Sequence, residues 1–334
     1  MAEPRILLVR LGSLGDVVHA LPAAAALRDT FPSARIDWAI DPKWSRLLKK
    51  NPGLDNVVVF DRKSAGGIAG TIRALRAARY DCVIDFQALY KSAFLAWASG
   101  AARRIGFTSA YAREGLAARL YTERLNPRGP HKVDHNLTLA SAAGAQPAAA
   151  RFPLAIFEED EAAAERELAA RKISRFYVLN PGGGWQSKCW PAERYGELHR
   201  VLAKRYGIPG VVSIGPGEEA LAQAAIAAAG DAPPAAIGLP LGPLLALLRR
   251  ADFVVSADTG PLHLASALGT ATIGLFGPTD PARNGPYSEG DIAIRNPRFA
   301  ETTYNRGSSY SNSMLSITVE QAAAGVARRL GNAA

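Results

Sequence analysis

Cysteine is nearly absent. The 334 residues hold only Cys82 and Cys189, both in apolar segments, which excludes a disulfide framework and fits a reducing compartment. Long hydrophobic runs are missing too. Nothing approaches the roughly 20 apolar residues of a spanning helix, and "MAEPRILLVRLG" carries no apolar stretch of signal-peptide length, so a cytoplasmic protein is expected. There is no D-x-D triplet, and no G-x-S-x-G elbow, which removes the main hydrolase template. His131 and His135 in "HKVDH" stand one helical turn apart without the glutamate that zincin histidines need. Surface or acceptor-contact histidines are expected there, and no metal site. Acids are in deficit: 39 basic against 30 acidic residues leave a net charge of +9, which favours anionic partners without choosing among phosphates, nucleic acid and acidic membranes.

What the chain does have is alternation. Short apolar or β-branched runs are separated by Ala-rich helical stretches, the pattern of parallel sheets covered by helices. In the first half strands are predicted at "RILLVR", "RIDWAI", "VVVFD", "CVIDF" and "RRIGF". Periodicity fades across "ASAAGAQPAAARFP", whose glycine and prolines mark a linker. "EEDEAAAEREL" then opens a helix, its acids complementing the helix dipole rather than binding metal. Strands follow at "FYVLN", "GVVSIG", "AAIGL", "FVVSAD" and "ATIGLF". The length suits two domains of ordinary size. They are placed at residues 1–150 and 151–312, with 313–334 as a closing helix. The predicted class is α/β, with two similar Rossmann-like halves.

Four loops could carry chemistry. In "ILLVRLGSLGD" a strand runs into a glycine turn and a helix opening near Asp16. Ligands of open α/β sheets sit beyond the carboxyl ends of strands. Asp16 is therefore either a helix cap or a general base at a rigid strand end, with Gly12 and Gly15 letting a substrate approach. "YVLN" followed by "PGGGWQSKCWP" offers backbone N–H groups and Lys188 to an anion. It is not a P-loop: Ser187 stands where that motif needs glycine, and Cys189 where it needs Ser or Thr. "GVVSIG" leads into "GPGEEA", where Gly215, Gly217 and Ala220 formally satisfy the dinucleotide fingerprint. The same loop offers Glu218 or Glu219 to ribose hydroxyls. In "FVVSADTGPLHLASALGTATIGLFGPTDP" a strand ends at Asp258, and Thr259 and Gly260 begin a helix whose N–H groups suit a diphosphate. His263 lies one turn in.

Three stretches carry a family resemblance. "ILLVRLGSLGDVVHALPAAAALRDTFP", "NPGGGWQSKCWP" and "VVSADTGPLHLASALGTATIGLFGPTDP" resemble the landmark segments of the ADP-heptose:lipopolysaccharide heptosyltransferases, glycosyltransferase family 9. "VVHALP", "DFQALYKSA" and "AREGLAARLY" are similar to the type that adds the first heptose to Kdo. The resemblance implies a GT-B fold, two Rossmann-like domains with parallel sheets facing a central cleft and the final helix packing back on the N-terminal domain. It implies inverting transfer of heptose from ADP-L-glycero-D-manno-heptose to the Kdo of a Kdo-lipid A acceptor, Asp16 acting as base, with no metal and no cofactor. Lys188, Glu218, Glu219, Asp258, Thr259, Gly260 and His263 would hold the donor. Ser13, Gly15, Lys63, Gln87, Lys91 and Arg113 would hold the acceptor. It further implies a monomer that meets the inner-membrane surface peripherally and has no nucleic-acid partner. Where some members carry cysteines near the C-terminus, this chain reads "TTYNRGSSYSNSMLSITVEQ", which has no thiol for a metal or a disulfide.

Other readings stand beside this one: a family member acting on an already heptosylated acceptor, a nicotinamide-dependent oxidoreductase built on the Gly215 fingerprint, and a nucleotide-sugar binder without chemistry. ADP release against absorbance change with NAD(P)H separates transferase from oxidoreductase.

Overall fold

The computed structural model describes residues 3–299, 302–303 and 307–331. The chain divides into two compact units, Met1–Ala155 and Ile156–Ala334, so the boundary falls just past the predicted linker. Among the described residues no helix is long and apolar enough to cross a membrane.

The first unit is built from β1 (Arg5–Val9), α1 (Leu14–Thr30), β2 (Arg35–Ile40), β3 (Asn56–Val59), α2 (Ala65–Ala78), β4 (Cys82–Asp85), α3 (Tyr90–Ala98), β5 (Arg103–Phe107), β6 (Glu123–Leu125) and α4 (Lys132–Ala142). All six strands are parallel, in the order β3-β2-β1-β4-β5-β6. Covered on both faces, β1 and β4 are apolar at nearly every position, as parallel strands must be. Val9 lies level with Ala39 of β2 and Asp85 of β4, which brings the carboxyl ends of the three central strands into line. The indole of Trp38, fully buried on β2, donates to the Arg10 carbonyl at 3.1 Å and ties the end of β1 to the core.

The second unit repeats the plan with α5 (Glu158–Ala170), β7 (Tyr177–Asn180), α6 (Ala192–Tyr206), β8 (Gly210–Ile214), α7 (Glu219–Ala229), β9 (Ala235–Gly238), α8 (Leu241–Arg250), β10 (Phe253–Ala257), α9 (Gly260–Ala267), β11 (Ala271–Leu275), α10 (Pro281–Asn284), β12 (Ile292–Ile294), α11 (Asn312–Leu315) and α12 (Val319–Arg329). Its strands are also parallel, ordered β12-β11-β10-β7-β8-β9. Counted from each unit's own first strand, both sheets read 3-2-1-4-5-6. The acids opening α5 behave as dipole partners: the Asp160 carboxylate accepts the Phe157 N–H at 3.0 Å, and Glu161 and Glu165 pair with Arg249 and Arg250 of α8.

One detail departs from the sequence reading. The edge strands β6 and β12, three residues each, escaped prediction because "ERL" and "IAI" are too short to show a period. The final helix belongs to the second unit's own core. Ala322, Ala323 and Val326 of α12 are buried with Ile273, Leu275, Met314 and Ile317, and the Trp190 indole donates to the Ile317 carbonyl at 2.9 Å. The apolar face of α12 lies on α6, β11 and β12.

Candidate active site

Each sheet reverses its strand order between its first and fourth strands, the switch point where open α/β sheets bind ligands. Each unit gathers charge there.

In the first unit the switch lies between the loops after β1 and β4. Arg10 leaves β1 buried, its Nη1 donating to the Phe86 carbonyl at 2.6 Å, and the Leu11 N–H donates to Gln87 Oε1 at 2.8 Å. The helix α1 opens at Leu14 with Ser13 as its N-cap, so of the two readings of Asp16 the N-cap position itself belongs to Ser13. Asp16 is the third helical residue, and its carboxylate reaches back to accept from Ser13 Oγ at 2.9 Å and Ser13 N at 3.4 Å, one half of a capping box. Two cations meet the same carboxylate. Arg10 Nη2 lies 2.5 Å from Oδ2, and Lys132 Nζ 3.0 Å from Oδ1. Lys132 is the first residue of α4, which packs on α1 and is pinned by Asn136 Nδ2 donating to the His19 carbonyl at 2.9 Å. Burial opposes ionisation of Asp16, but Arg10, then Lys132 and His19, hold its carboxyl well below the usual carboxylate range. The side chain keeps 21% of its surface exposed, so the charge is reachable.

The remaining first-unit candidates divide. Gln87 braces the turn through Leu11. Behind it the buried Asp85 accepts the N–H groups of Gln87 and Ala88 at 2.8 and 3.2 Å and the Tyr121 hydroxyl at 2.7 Å, while burial raises its pKa. Those bonds hold Ala88 at φ 53°, a conformation uncommon outside glycine. Lys91 and Arg113 lie in one basic cluster with Arg62: partial burial and then the Arg62 charge lower the Lys91 pKa, with Asp41 and Glu114 acting the other way. Lys63 is exposed, its N–H bonded to Asp61 Oδ1 at 2.9 Å. Gly15 lies in the first turn of α1 beside Asp16. His131 is buried, contrary to the surface role expected. It caps α4 by accepting the Val133 N–H at 3.1 Å and meets the His19 ring edge-on, centroids 5.2 Å apart.

In the second unit the switch lies between the loops after β7 and β10. Asp258 is buried and both its oxygens are engaged. Lys188 Nζ donates to Oδ2 at 2.6 Å, and His263 Nε2 is 3.0 Å from Oδ1. Burial would push the Asp258 carboxyl up, yet the His263 hydrogen bond and the Lys188 charge hold it well below its ordinary range. Lys188 also lies 4.7 Å from the centre of the Trp185 ring, a cation–π contact. Thr259 is the N-cap of α9, followed by Gly260 and Pro261. The Asn180 amide, at the end of β7, donates to the Gly182 carbonyl at 3.2 Å and to Thr259 Oγ1 at 3.3 Å, which joins the glycine loop to the start of α9. The glycines are demanded by close approach. A Cβ on Gly182 would lie 2.1 Å from Glu218 Oε2, and one on Gly183 2.9 Å from Cys189 Sγ. Glu218 is the residue turned to this loop, its Oε2 accepting the Gly215 N–H at 2.7 Å, whereas Glu219 is exposed. A cation of fixed position beside the N–H groups of a helix start is an arrangement that can seat an anion. Among the described residues no three His, Cys, Asp or Glu side chains converge as a metal site would require.

The sequence profile of glycosyltransferase family 9 (heptosyltransferase) matches residues 68–313. The chain belongs to this family. It is 31% identical over 303 residues to lipopolysaccharide heptosyltransferase 1 of Pseudomonas aeruginosa, covering 87% of this chain and 83% of that one. The E. coli heptosyltransferase WaaC solved with ADP superposes with a TM-score of 0.74 at 25% identity over 98% of both chains. A family 9 glycosyltransferase from Veillonella parvula, 23% identical, shares the fold with a TM-score of 0.86 over 99% of both chains. This family 9 enzyme is a glycosyltransferase with the α/β GT-B architecture, as expected from its landmark segments. The dinucleotide fingerprint fails on topology. Gly215 and Gly217 follow β8, whose neighbours are β7 and β9, so that loop is not one of the two that flank the switch point, where the fingerprint loop of a dinucleotide site stands.

Three residues of the first cluster, Arg10, His19 and Lys132, escaped the sequence reading. Arg10 carried a faint signal as the charged residue ending a buried strand. Lys132 carried none, because its approach to Asp16 depends on how α4 packs against α1.

Proposed function

We propose that this enzyme transfers heptose, with inversion, from ADP-heptose to the Kdo of a Kdo-lipid A acceptor in the lipopolysaccharide inner core. The observation that carries the proposal is the anion seat: Lys188, fixed by Asp258, beside the start of α9 at the switch point, in a chain whose relatives include a heptosyltransferase 1 and a transferase solved with ADP. The diphosphate rests on Lys188 and on the N–H groups from Gly260 onward, with Thr259 at the cap and Glu218 toward the ribose. Asp258 and His263 act behind Lys188, holding it. As the sugar–phosphate bond breaks, the same groups stabilise the charge growing on ADP, and turnover continues in the presence of EDTA.

On the acceptor side Asp16 takes the proton of the attacking hydroxyl, with Ser13 and Gly15 lining its turn. Its depressed pKa does not disqualify it. The acceptor oxygen becomes an oxonium as its bond to the anomeric carbon forms, and an oxonium is a far stronger acid than any carboxylic acid. A single displacement with base and leaving group on opposite sides of the anomeric carbon inverts it. Lys91, Arg113 and Arg62 suit the carboxylate and phosphates of the acceptor.

The test is incubation with ADP-heptose and a panel of Kdo-lipid A and heptosylated cores, followed by mass spectrometry and an ADP assay. ADP release with heptose gained by Kdo-lipid A is expected. Gain only on a heptosylated core would reassign the acceptor, and an NAD(P)H absorbance change without ADP release would overturn the transfer.

A further inference from the structure

Two tryptophans flank Lys188, and the fold uses them differently. Trp190 is fully buried in the core of the second unit, its indole bonded to the Ile317 carbonyl. Trp185, three residues before the lysine, is only partly buried. It follows Gly182, Gly183 and Gly184, which carry no side chains that could cover its ring. The Lys188 ammonium lies over that ring instead, Nζ 4.7 Å from its centre. An aromatic side chain of this size gains most from full burial, so packing alone does not account for its place beside the lysine.

The local backbone brings the pair together. Trp185 is the N-cap of a single 3₁₀ turn, Gln186–Lys188, which the Lys188 N–H closes by donating to the Trp185 carbonyl at 3.0 Å. Residues three apart on such a turn project to the same side. The Cys189 thiol donates to the same carbonyl at 3.3 Å. Ser187 fastens the middle of the turn: its N–H donates to the Gly307 carbonyl at 3.4 Å, and its Oγ accepts the Gly307 N–H at 3.3 Å. An ammonium has three N–H donors. Lys188 directs one to Asp258 Oδ2 at 2.6 Å and one to the Asp258 carbonyl at 3.3 Å. The indole face closes another side of the cation against water, and with the side chain only 17% exposed a cation–π contact is worth more than it is at an open surface. Asp258 and Trp185 together leave the ammonium one direction in which to meet a ligand.

We propose that Trp185 is a positioning residue of the donor site, its ring face holding the Lys188 ammonium so that the remaining N–H meets the diphosphate of the donor. This role rests on Lys188 binding that diphosphate, and a double-mutant cycle read by calorimetry of ADP binding tells the two apart. Trp185→Leu should bind ADP about 5- to 30-fold more weakly, whereas Trp185→Phe, which keeps a ring, should stay within about threefold of the parent. In a Lys188→Met background the change Trp185→Leu should cost less than about twofold, since no ammonium is left to aim. A tryptophan that only packs would cost the same in both backgrounds. Tetrafluorotryptophan in place of Trp185 keeps the shape of the side chain and drains its π face, so it probes the contact without disturbing the fold; it should weaken ADP binding by about threefold or more. Equal cost of Trp185→Leu in the two backgrounds, or ADP affinity unmoved by the fluorinated ring, overturns the proposal. ADP affinity unchanged by Lys188→Met would overturn the diphosphate role of Lys188 itself, and that of Trp185 with it.

Discussion

The two units share one strand order and each sets an aspartate at its switch point between a cation and a histidine-bearing helix, yet they use the acid differently. Asp258 is sealed: its side chain is 6% exposed, and its two oxygens are held by Lys188 and His263. Taking a proton would leave Lys188 uncompensated, and in the proposed reaction the part of Asp258 is to aim that lysine. Asp16 is held as firmly, by Arg10 and Lys132, but keeps 21% exposure. The difference comes from position on the fold. Asp258 directly follows the central strand β10 and is buried between Lys188 and His263, while Asp16 is the third residue of a helix, where the carboxylate faces the turn. A depressed pKa marks both and therefore does not tell the two aspartates apart; exposure does.

The sharpest way to break that contrast is Asp16→Asn. Removal of a general base typically costs about 10² to 10⁴ in rate, so kcat should fall by that order with ADP affinity little changed. Because the buried Arg10 loses its counter-charge, stability should fall too, by about 1 to 2 kcal/mol after allowance for the partial exposure of the pair, measured by denaturant unfolding. Near-normal turnover would make Asp16 a scaffold like Asp258. Next in size is Lys188→Ala. A hydrogen bond from a charged group is worth about 1.5 to 3 kcal/mol, so ADP should bind roughly 10- to 100-fold more weakly by calorimetry, whereas Arg113→Ala should raise the acceptor KM and leave ADP affinity alone. Equal effects of both on ADP would dissolve the division of labour between the units.

Titration sharpens the comparison further. Carboxyls depressed in the folded state contribute stability that is fully present above their unfolded pKa, about 3.9 for aspartate, and that is lost as pH falls through the folded value. The contribution of these two carboxyls should therefore be flat near neutrality and drop only below about pH 4. Lys132→Met removes one of the cations on Asp16, so its pKa should rise and the acid limb of kcat/KM should move to higher pH, while the Lys188–Asp258 pair is untouched. An unmoved limb would mean that Lys132 does not set the charge of Asp16. The smallest effect is expected from Gly182→Ala: the added methyl must push the Glu218 carboxylate aside, weakening ADP binding by a few-fold with acceptor KM unchanged.

The parallel-sheet class, the two-unit plan and the loops that gather the charged clusters at the switch points were legible in the sequence. Buried parallel strands are apolar along their whole length, and glycines before a helix announce close backbone approach. "PGGGWQSKCWP" and "ADTGPLH" could be read as an anion seat from those rules alone. What the chain could not disclose by itself was which charges meet. Lys132 stands 116 positions from Asp16 and Lys188 70 from Asp258; their pairing depends on α4 lying against α1 and on β7 lying beside β10. The same holds for Glu218 over Glu219, decided by which carboxylate fills the space left at Gly182, and for α12, whose apolar face fits any core until β11, β12 and α6 offer one. Local pattern determines elements and their ends because it acts through neighbours in sequence, whereas pKa, exposure and partner choice arise from groups brought together only when the sheets form.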